Sequence, residues 1–493
     1  MTDDTALEHE SSDVTRRRFL QTGMAGLSAV AALPNIPVLA HRDAPGRAEP
    51  LLAGAIEVRQ TAGTQRYAQL PPLSWGALPR GASADIQIKP DVRRQEVLGF
   101  GAAFTDAACY MYSQLAPDAR RALFRELYDP AQMNLSVGRT CIGASDYSTK
   151  AYSCDDSDTP DPTLSKFSIA HDKQWILPML REARQVNPDI YLLSTPWSPP
   201  GWMKDNNSLL GGTIRRRYLA SYAQYITKFV DAYAKEGVRI DAVSSQNEVD
   251  TDQDGRMPAC TWPQEIEVGF VGEQLGPAFV KAGIQTKIWL IDHNYNLWGR
   301  AIASFDDPKV RQYADGVAWH GYVGTPEAMT RVHDAVPEKH AYWTEGGPDY
   351  TDPKYLTDWS KWGAQFAGIM NNWARCIIAW NYALDEQGRP NIGPFPCGGL
   401  VTINSKTHDV TRSGQYWAFA HYSRHVRRGA RVVDSAGAAK SLAHVAFTNP
   451  DGSTALVLTN SGGRPAIPRI AVGGSAVQVT LPADSITTLQ WRA

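Results

Sequence analysis

Two glutamates in this 493-residue chain stand where a carboxylate could do chemistry. Ser244-Ser245-Gln246-Asn247-Glu248 follows a short apolar run, 240–243, and opens into the polar stretch 249–255. His340-Ala341-Tyr342-Trp343-Thr344-Glu345-Gly346-Gly347 repeats the arrangement of apolar strand, carboxylate and loop. A carboxylate at the C-terminal tip of a strand is where a barrel enzyme keeps its reacting groups. Two carboxyl groups about 5–5.5 Å apart can break a glycosidic bond with retention. One, ionised, attacks the sugar; the other, protonated, serves the leaving oxygen. The charge on the first raises the pKa of the second and vanishes once the sugar ester forms, so the second then turns base. Glu248 and Glu345 are therefore expected to face each other across one pocket. Alone, either reads as a solvated loop carboxylate or a salt-bridge partner; together at one mouth they read as chemistry. Asn247 offers an amide to a sugar 2-hydroxyl, or else caps the loop backbone.

Such a pocket needs a closed sheet to hold it. Short apolar strands and longer helical patterns alternate from about residue 96 to 384, which argues for βα units and a parallel sheet. Eight strands are expected at 96–99, 135–140, 190–194, 240–243, 287–291, 316–319, 342–344 and 376–380. Helices are expected between them, among them 118–127, 173–186, 214–236, 263–281 and 358–373. Residue 345 less residue 248 leaves 97 residues for three units. That is about 32 each, in line with a barrel of ~250 residues in eight units. After about 425 the pattern turns to short β segments, 441–447, 454–458, 470–472, 477–481 and 485–491, with a strong turn at Asn449-Pro450-Asp451-Gly452. The fold class expected is α/β, a (β/α)8 TIM barrel with a side antiparallel β-sandwich joined by strands near 55–60 and 85–88. The divisions are 1–40 signal, 41–95 lead-in and first sandwich strands, 96–425 barrel and 426–493 sandwich.

A net charge of -2 gives no basic field for nucleic acid and no polybasic attraction to a membrane. Thr15-Arg16-Arg17-Arg18-Phe19-Leu20 ahead of the apolar run 24–33 is the twin-arginine pattern of an export signal. The run is too short and too rich in Ala and Gly for a stable membrane anchor. A periplasmic or secreted protein is expected. Six cysteines are scattered without metal-ligand spacing, and no pairing is fixed. Asp250, Asp252 and Asp254 alternate as in a calcium loop, but the remaining EF-hand positions are missing, so the stretch reads as a solvated acidic loop. No metal and no cofactor is expected.

The order of motifs resembles glycoside hydrolase family 30 over the whole chain after the signal. Gly99-Phe100-Gly101-Ala102-Ala103-Phe104-Thr105-Asp106-Ala107-Ala108 is similar to the family's first-strand motif, and Thr195-Pro196-Trp197-Ser198-Pro199-Pro200-Gly201-Trp202-Met203-Lys204 to its third-strand loop. The resemblance implies Glu248 as acid/base and Glu345 as nucleophile. It implies that Asp106 binds sugar hydroxyls, although Asp106 also reads as the N-cap of the helix starting at Ala107. Trp197 and Trp380 would line the sugar site or pack the barrel mouth. Arg139 would hold Glu345 ionised, with Tyr322 at that carboxylate and His320 hydrogen-bonded beside it. The implied activity is that of a glucosylceramidase-like retaining β-glycosidase on a β-glucoside, glucosylceramide or β-glucan. An endo-β-1,6-glucanase or a β-xylosidase would use the same residues, and an inactive carbohydrate-binding protein is the reading from another class. Val249 replaces the family's usual Pro, and the loop 391–399 lacks the Asn-Phe of the lysosomal enzyme. Those loops shape the leaving-group site, so the sugar carries over by resemblance and the aglycone does not.

Overall fold

The computed structural model describes residues 51–437 and 441–492. The expected export signal lies outside the described residues. Eight parallel strands close into a barrel: Gly99–Phe104, Val137–Ile142, Tyr191–Pro196, Ala242–Ser244, Lys287–Asn294, Ala314–His320, His340–Glu345 and Ala374–Ala379. They are nearly continuous apolar runs because barrel strands are covered on both faces. The lumen is filled below the mouth by Val137, Leu193, Ala242, Trp289, Ala318, Tyr342, Cys376 and Ile378. Trp289 and Tyr342 stack there with centroids 3.7 Å apart. The lower lumen is thus a packed plug, and only the C-terminal strand ends are left to form a site.

The first strand departs from expectation. Glu96 ends the long sandwich strand Ile86–Glu96, and the barrel strand begins at Gly99. Small residues make this possible. A Cβ on Gly101 would lie 1.8 Å from the Val137 carbonyl oxygen, so only glycine lets the first and second strands approach. The expected helix 263–281 is three pieces: Gln264–Gly269, a π-helical turn at Phe270–Leu275, and Gly276–Ala282.

Beside the barrel, strands from both ends of the chain form one ten-stranded sheet. Ala55–Ala62 pairs antiparallel with the last strand, Ser485–Arg492, and with Gln65–Ser74. Ile86–Glu96 lies between Arg431–Ala436 and Arg469–Val472. Its two faces enclose a core of Ile56, Ile86, Val433, Leu456, Leu489 and Trp491. Gln65–Ser74 and Arg431–Ala436 were not expected; the first contains Pro71 and Pro72, which demote a strand reading. All six cysteines are free thiols, five of them buried. Among the described residues no helix is long and apolar enough to cross a membrane.

Candidate active site

The fifth barrel strand does not end at residue 291, where its apolar run stops; it bulges there and continues to Asn294. Ile291 and Asp292 take φ of 70° and 47°, and the register against the sixth strand slips between Ile291 and His293. A left-handed β-branched residue is strained and must be held by its surroundings. The holder is Glu267, fully buried on helix Gln264–Gly269. Its Oε1 accepts from the Ile291 amide and the Ser245 hydroxyl, both at 2.7 Å, while Arg300 pairs with Oε2. The bulge re-aims the strand end so that Asp292 points into the barrel axis.

Asp292 is the hub on which the site is built. Its Oδ2 accepts from Arg139 Nη2 (2.9 Å), Thr195 (2.9 Å) and Ser244 (2.6 Å); Oδ1 meets Thr344 (2.6 Å) and His320 Nε2 (3.1 Å). Burial alone would push this carboxyl up. The Arg139 charge and the His320 contact outweigh burial and hold it far below the ordinary range. Arg139, fully buried, spreads its fork over Asp292, Glu345 Oε2 and the Asn247 side-chain oxygen. It therefore stays charged and orients the Glu345 carboxylate. The Tyr322 hydroxyl donates to the other Glu345 oxygen at 3.1 Å, although the residue as a whole is 46% exposed. Its ring edge faces solvent while its hydroxyl is tucked in.

Glu248 lies four residues beyond its strand, at a left-handed φ of 51°. Its amide donates to the Asp292 carbonyl oxygen, which turns the side chain back over the mouth. His320 was expected beside Glu345. It stands there and reaches Glu248 as well, with Nε2 3.7 Å from Glu345 Oε2 and Nδ1 3.4 Å from Glu248 Oε1. Both carboxylates thus lie against one imidazole, one at each ring nitrogen. Burial disfavours the His320 cation, but Glu345, Asp292 and Glu248 together raise it to about 9. The expectation that Glu345 raises Glu248 is overturned for the same reason. Burial pushes Glu248 up, yet His320, His293 and the Gln253 amide hold it below its usual range. His320, favoured as the cation, stands next to Glu248.

Glu248, Glu345, Asn247, Trp197, Tyr322 and Trp380 all line one cavity of 540 Å³. Trp197 and Trp380 stack on each other (5.1 Å, 19°) with the Arg139 guanidinium 4.6 Å above Trp197. They pack the mouth and wall the cavity at once. Because Arg139 takes the Asn247 oxygen, the amide N–H groups are what Asn247 has left for a ligand. Asp106 is the exception. It is 1% exposed and away from the cavity wall, and both its oxygens are taken, by Thr149 on one side and His171 and Trp175 on the other. It does not cap the helix either; Thr105 does. Asp106 clamps the loop after the second strand.

Asp146, in that loop, is the carboxyl that reaches the cavity. It is 4% exposed, and its Oδ1 has no protein partner. Burial, then the charges of Glu345 and Glu248, push it well above the carboxylate range, which favours the protonated form that can both donate and accept. The signal was present: Asp146 is a carboxyl just beyond a strand end, like the two glutamates. Asp292, His293 and Gln253 were also passed over, the first two because the apolar run ends before them.

The chain matches the Glycosyl hydrolase family 30 TIM-barrel domain over residues 97–426 and the family's beta sandwich domain over 429–489. It is 33% identical over 397 residues to the Endo-1,6-beta-D-glucanase of Neurospora crassa, covering 77% of this chain and 81% of that protein. It is 26% identical to the Lysosomal acid glucosylceramidase of Mus musculus, over 84% of each. A solved endo-beta1,6-glucanase superposes with a TM-score of 0.81 at 29% identity, over 89% of this chain and all of that one. The closed barrel, the sandwich and these matches agree, and the protein is a glycoside hydrolase that belongs to glycosyl hydrolase family 30.

Proposed function

We propose that the protein hydrolyses β-glucosidic bonds by double displacement, with Glu345 as nucleophile and Glu248 as acid/base, and that its substrate is a β-1,6-linked glucan. The observation that carries the chemistry is the approach of both carboxylates to one imidazole at the mouth of one cavity. Glu345, ionised under Arg139 and Tyr322, attacks the anomeric carbon. Glu248 delivers the proton it shares with His320 to the departing oxygen, then takes one from water. Trp197 and Trp380 wall the sugar, and Asn247 and Asp146 offer hydrogen bonds to its hydroxyls. The linkage is supported by what the Neurospora relative and the solved glucanase act on. The test is a hydrolysis panel of β-1,6-glucan, glucosylceramide, aryl β-glucosides and aryl β-xylosides. Turnover of glucosylceramide in preference to the glucan would move the assignment to sphingolipid hydrolysis. Glu345→Ala is expected to lose about 10⁴-fold or more in kcat. Glu248→Ala should keep its first step on aryl glycosides with good leaving groups and be rescued by azide; without rescue, the assignment of acid/base is wrong. A carbohydrate-binding protein would show no hydrolysis for either substitution to remove. Export through the twin-arginine route rests on residues 15–20. Changing Arg16 and Arg17 to Lys should retain the protein in the cytoplasm, and unchanged export would refute it.

A further inference from the structure

His293 transfers no proton in the proposed double displacement, yet each of its ring nitrogens lies within reach of a carboxylate at the mouth. Its side chain is 8% exposed. Its Nε2 sits 2.7 Å from Asp250 Oδ1, so the acidic stretch after Glu248 is not simply solvated. Its Nδ1 is buried, makes no hydrogen bond, and lies 3.6 Å from Glu248 Oε1. His320 repeats this arrangement from the next strand, with Nε2 on Asp292 and Nδ1 3.4 Å from the same Glu248 oxygen. Two imidazoles therefore present their near nitrogens to one carboxylate, each with its far nitrogen held by a carboxylate. The three near atoms lie within 4.8 Å of one another. An imidazole that ligates a metal is ordinarily fixed through its other nitrogen in this way.

We propose that Glu248, His293 and His320 form a site for a divalent transition ion of the zinc class, and that its occupation switches hydrolysis off. With bonds of about 2.0–2.1 Å, a tetrahedral ion sets its ligands about 3.3 Å apart. The observed 3.4 and 3.6 Å to Glu248 are close to that, and the three atoms together, within 4.8 Å of one another, would draw in around an ion. Two nitrogen donors and one oxygen select zinc, cobalt or nickel over calcium or magnesium. Glu248 and His293 both line the cavity, so an ion they held would border it. An ion there takes the Glu248 oxygen that must handle the proton, and it occupies space the sugar needs. Inhibition thus rests on the proposed role of Glu248, whereas binding rests on the placement of the three ligand atoms and requires the ion to displace any proton on the ligating nitrogens.

The experiment uses untagged, chelator-treated protein. Zn²⁺ titration by calorimetry should show one site, Co²⁺ should give the intense visible bands of tetrahedral coordination, and Zn²⁺ should inhibit reversibly by raising KM. His293→Ala should abolish the Co²⁺ spectrum and the one-site isotherm. Asp250→Asn keeps all three ligands on an exposed loop and should weaken Zn²⁺ by about 10- to 100-fold. Equal Zn²⁺ affinity in wild type, His293→Ala and Asp250→Asn overturns the proposal, as does wild-type protein that binds none. Hydrolysis without Zn²⁺ binding sinks the site and leaves the glycosidase. Zn²⁺ binding without hydrolysis sinks the glycosidase and leaves the site.

Discussion

Asp292 never touches the reacting atoms, yet Arg139, Thr195, Ser244, His320 and Thr344 all meet on its two oxygens. The reacting pair was readable because each glutamate closes a strand and sits in a recognisable motif. The hub was not, because a bulge shifts the inward face by one residue and no local pattern announces it. Asp106 shows the converse error: a motif residue whose oxygens are already spent on the loop after the second strand. Asp146 supplies the test at this scale. It is buried, unpartnered through Oδ1, and on the cavity wall. Replacing it with Ala leaves a sugar hydroxyl without its partner, which costs about 1–3 kcal/mol, or roughly 5- to 150-fold in kcat/KM. Steady-state kinetics should show that loss with the melting temperature nearly unchanged. An unaltered kcat/KM would mean that the sugar does not reach Asp146.

Elements were legible where burial is continuous and blurred where two elements meet. Seven of the barrel strands fall close to their expected positions; the first was placed at 96–99 and begins at Gly99, because Glu96 still belongs to the sandwich strand. The glycines of that first barrel strand answer to a neighbouring backbone, which no single stretch of sequence reveals. Asp172 is a second case of one element serving another. It is fully buried before helix Ile176–Val186 and accepts from Tyr152 (3.0 Å) and from Tyr233 (2.7 Å) on helix Leu219–Lys235. Burial outweighs those hydrogen bonds and pushes its carboxyl up to about 6. The unfolded chain releases that proton near pH 4. Between these values the folded protein binds more protons than the unfolded one, so stability falls as pH rises from about 4 to 6 and then levels. Asp172→Asn keeps the shape without the titration. Its melting temperature relative to wild type should therefore move upward between pH 4 and pH 7. A constant difference across that range would show that Asp172 is ionised in the fold at pH 4.

At the scale of the whole molecule, the chain closes on itself. Its first described strand pairs with its last, so the sandwich cannot form until the C-terminus has been made. The same sheet is bolted to the barrel by helix Trp359–Asn371. The Trp359 indole N–H donates to the Asp484 carbonyl oxygen at 2.9 Å, and Arg66 from the N-terminal hairpin lies 4.2 Å over its ring. One turn on, a Cβ at Gly363 would meet Ile486 and Thr459 of the sheet at 2.6 and 2.7 Å, so helix and sheet touch as closely as elements inside one core. A junction packed this tightly should not melt in parts. Scanning calorimetry is expected to give one endotherm for barrel and sandwich together. Trp359→Ala removes a buried indole at the point where barrel, N-terminal hairpin and C-terminal turn converge, and should cost about 3–5 kcal/mol. That loss should lower the single endotherm rather than release a second one, since the remaining contacts along the helix still join the two cores. Two endotherms in wild type, or a Trp359→Ala protein that melts as the parent does, would show that the sandwich is a passenger on the barrel rather than part of its stability.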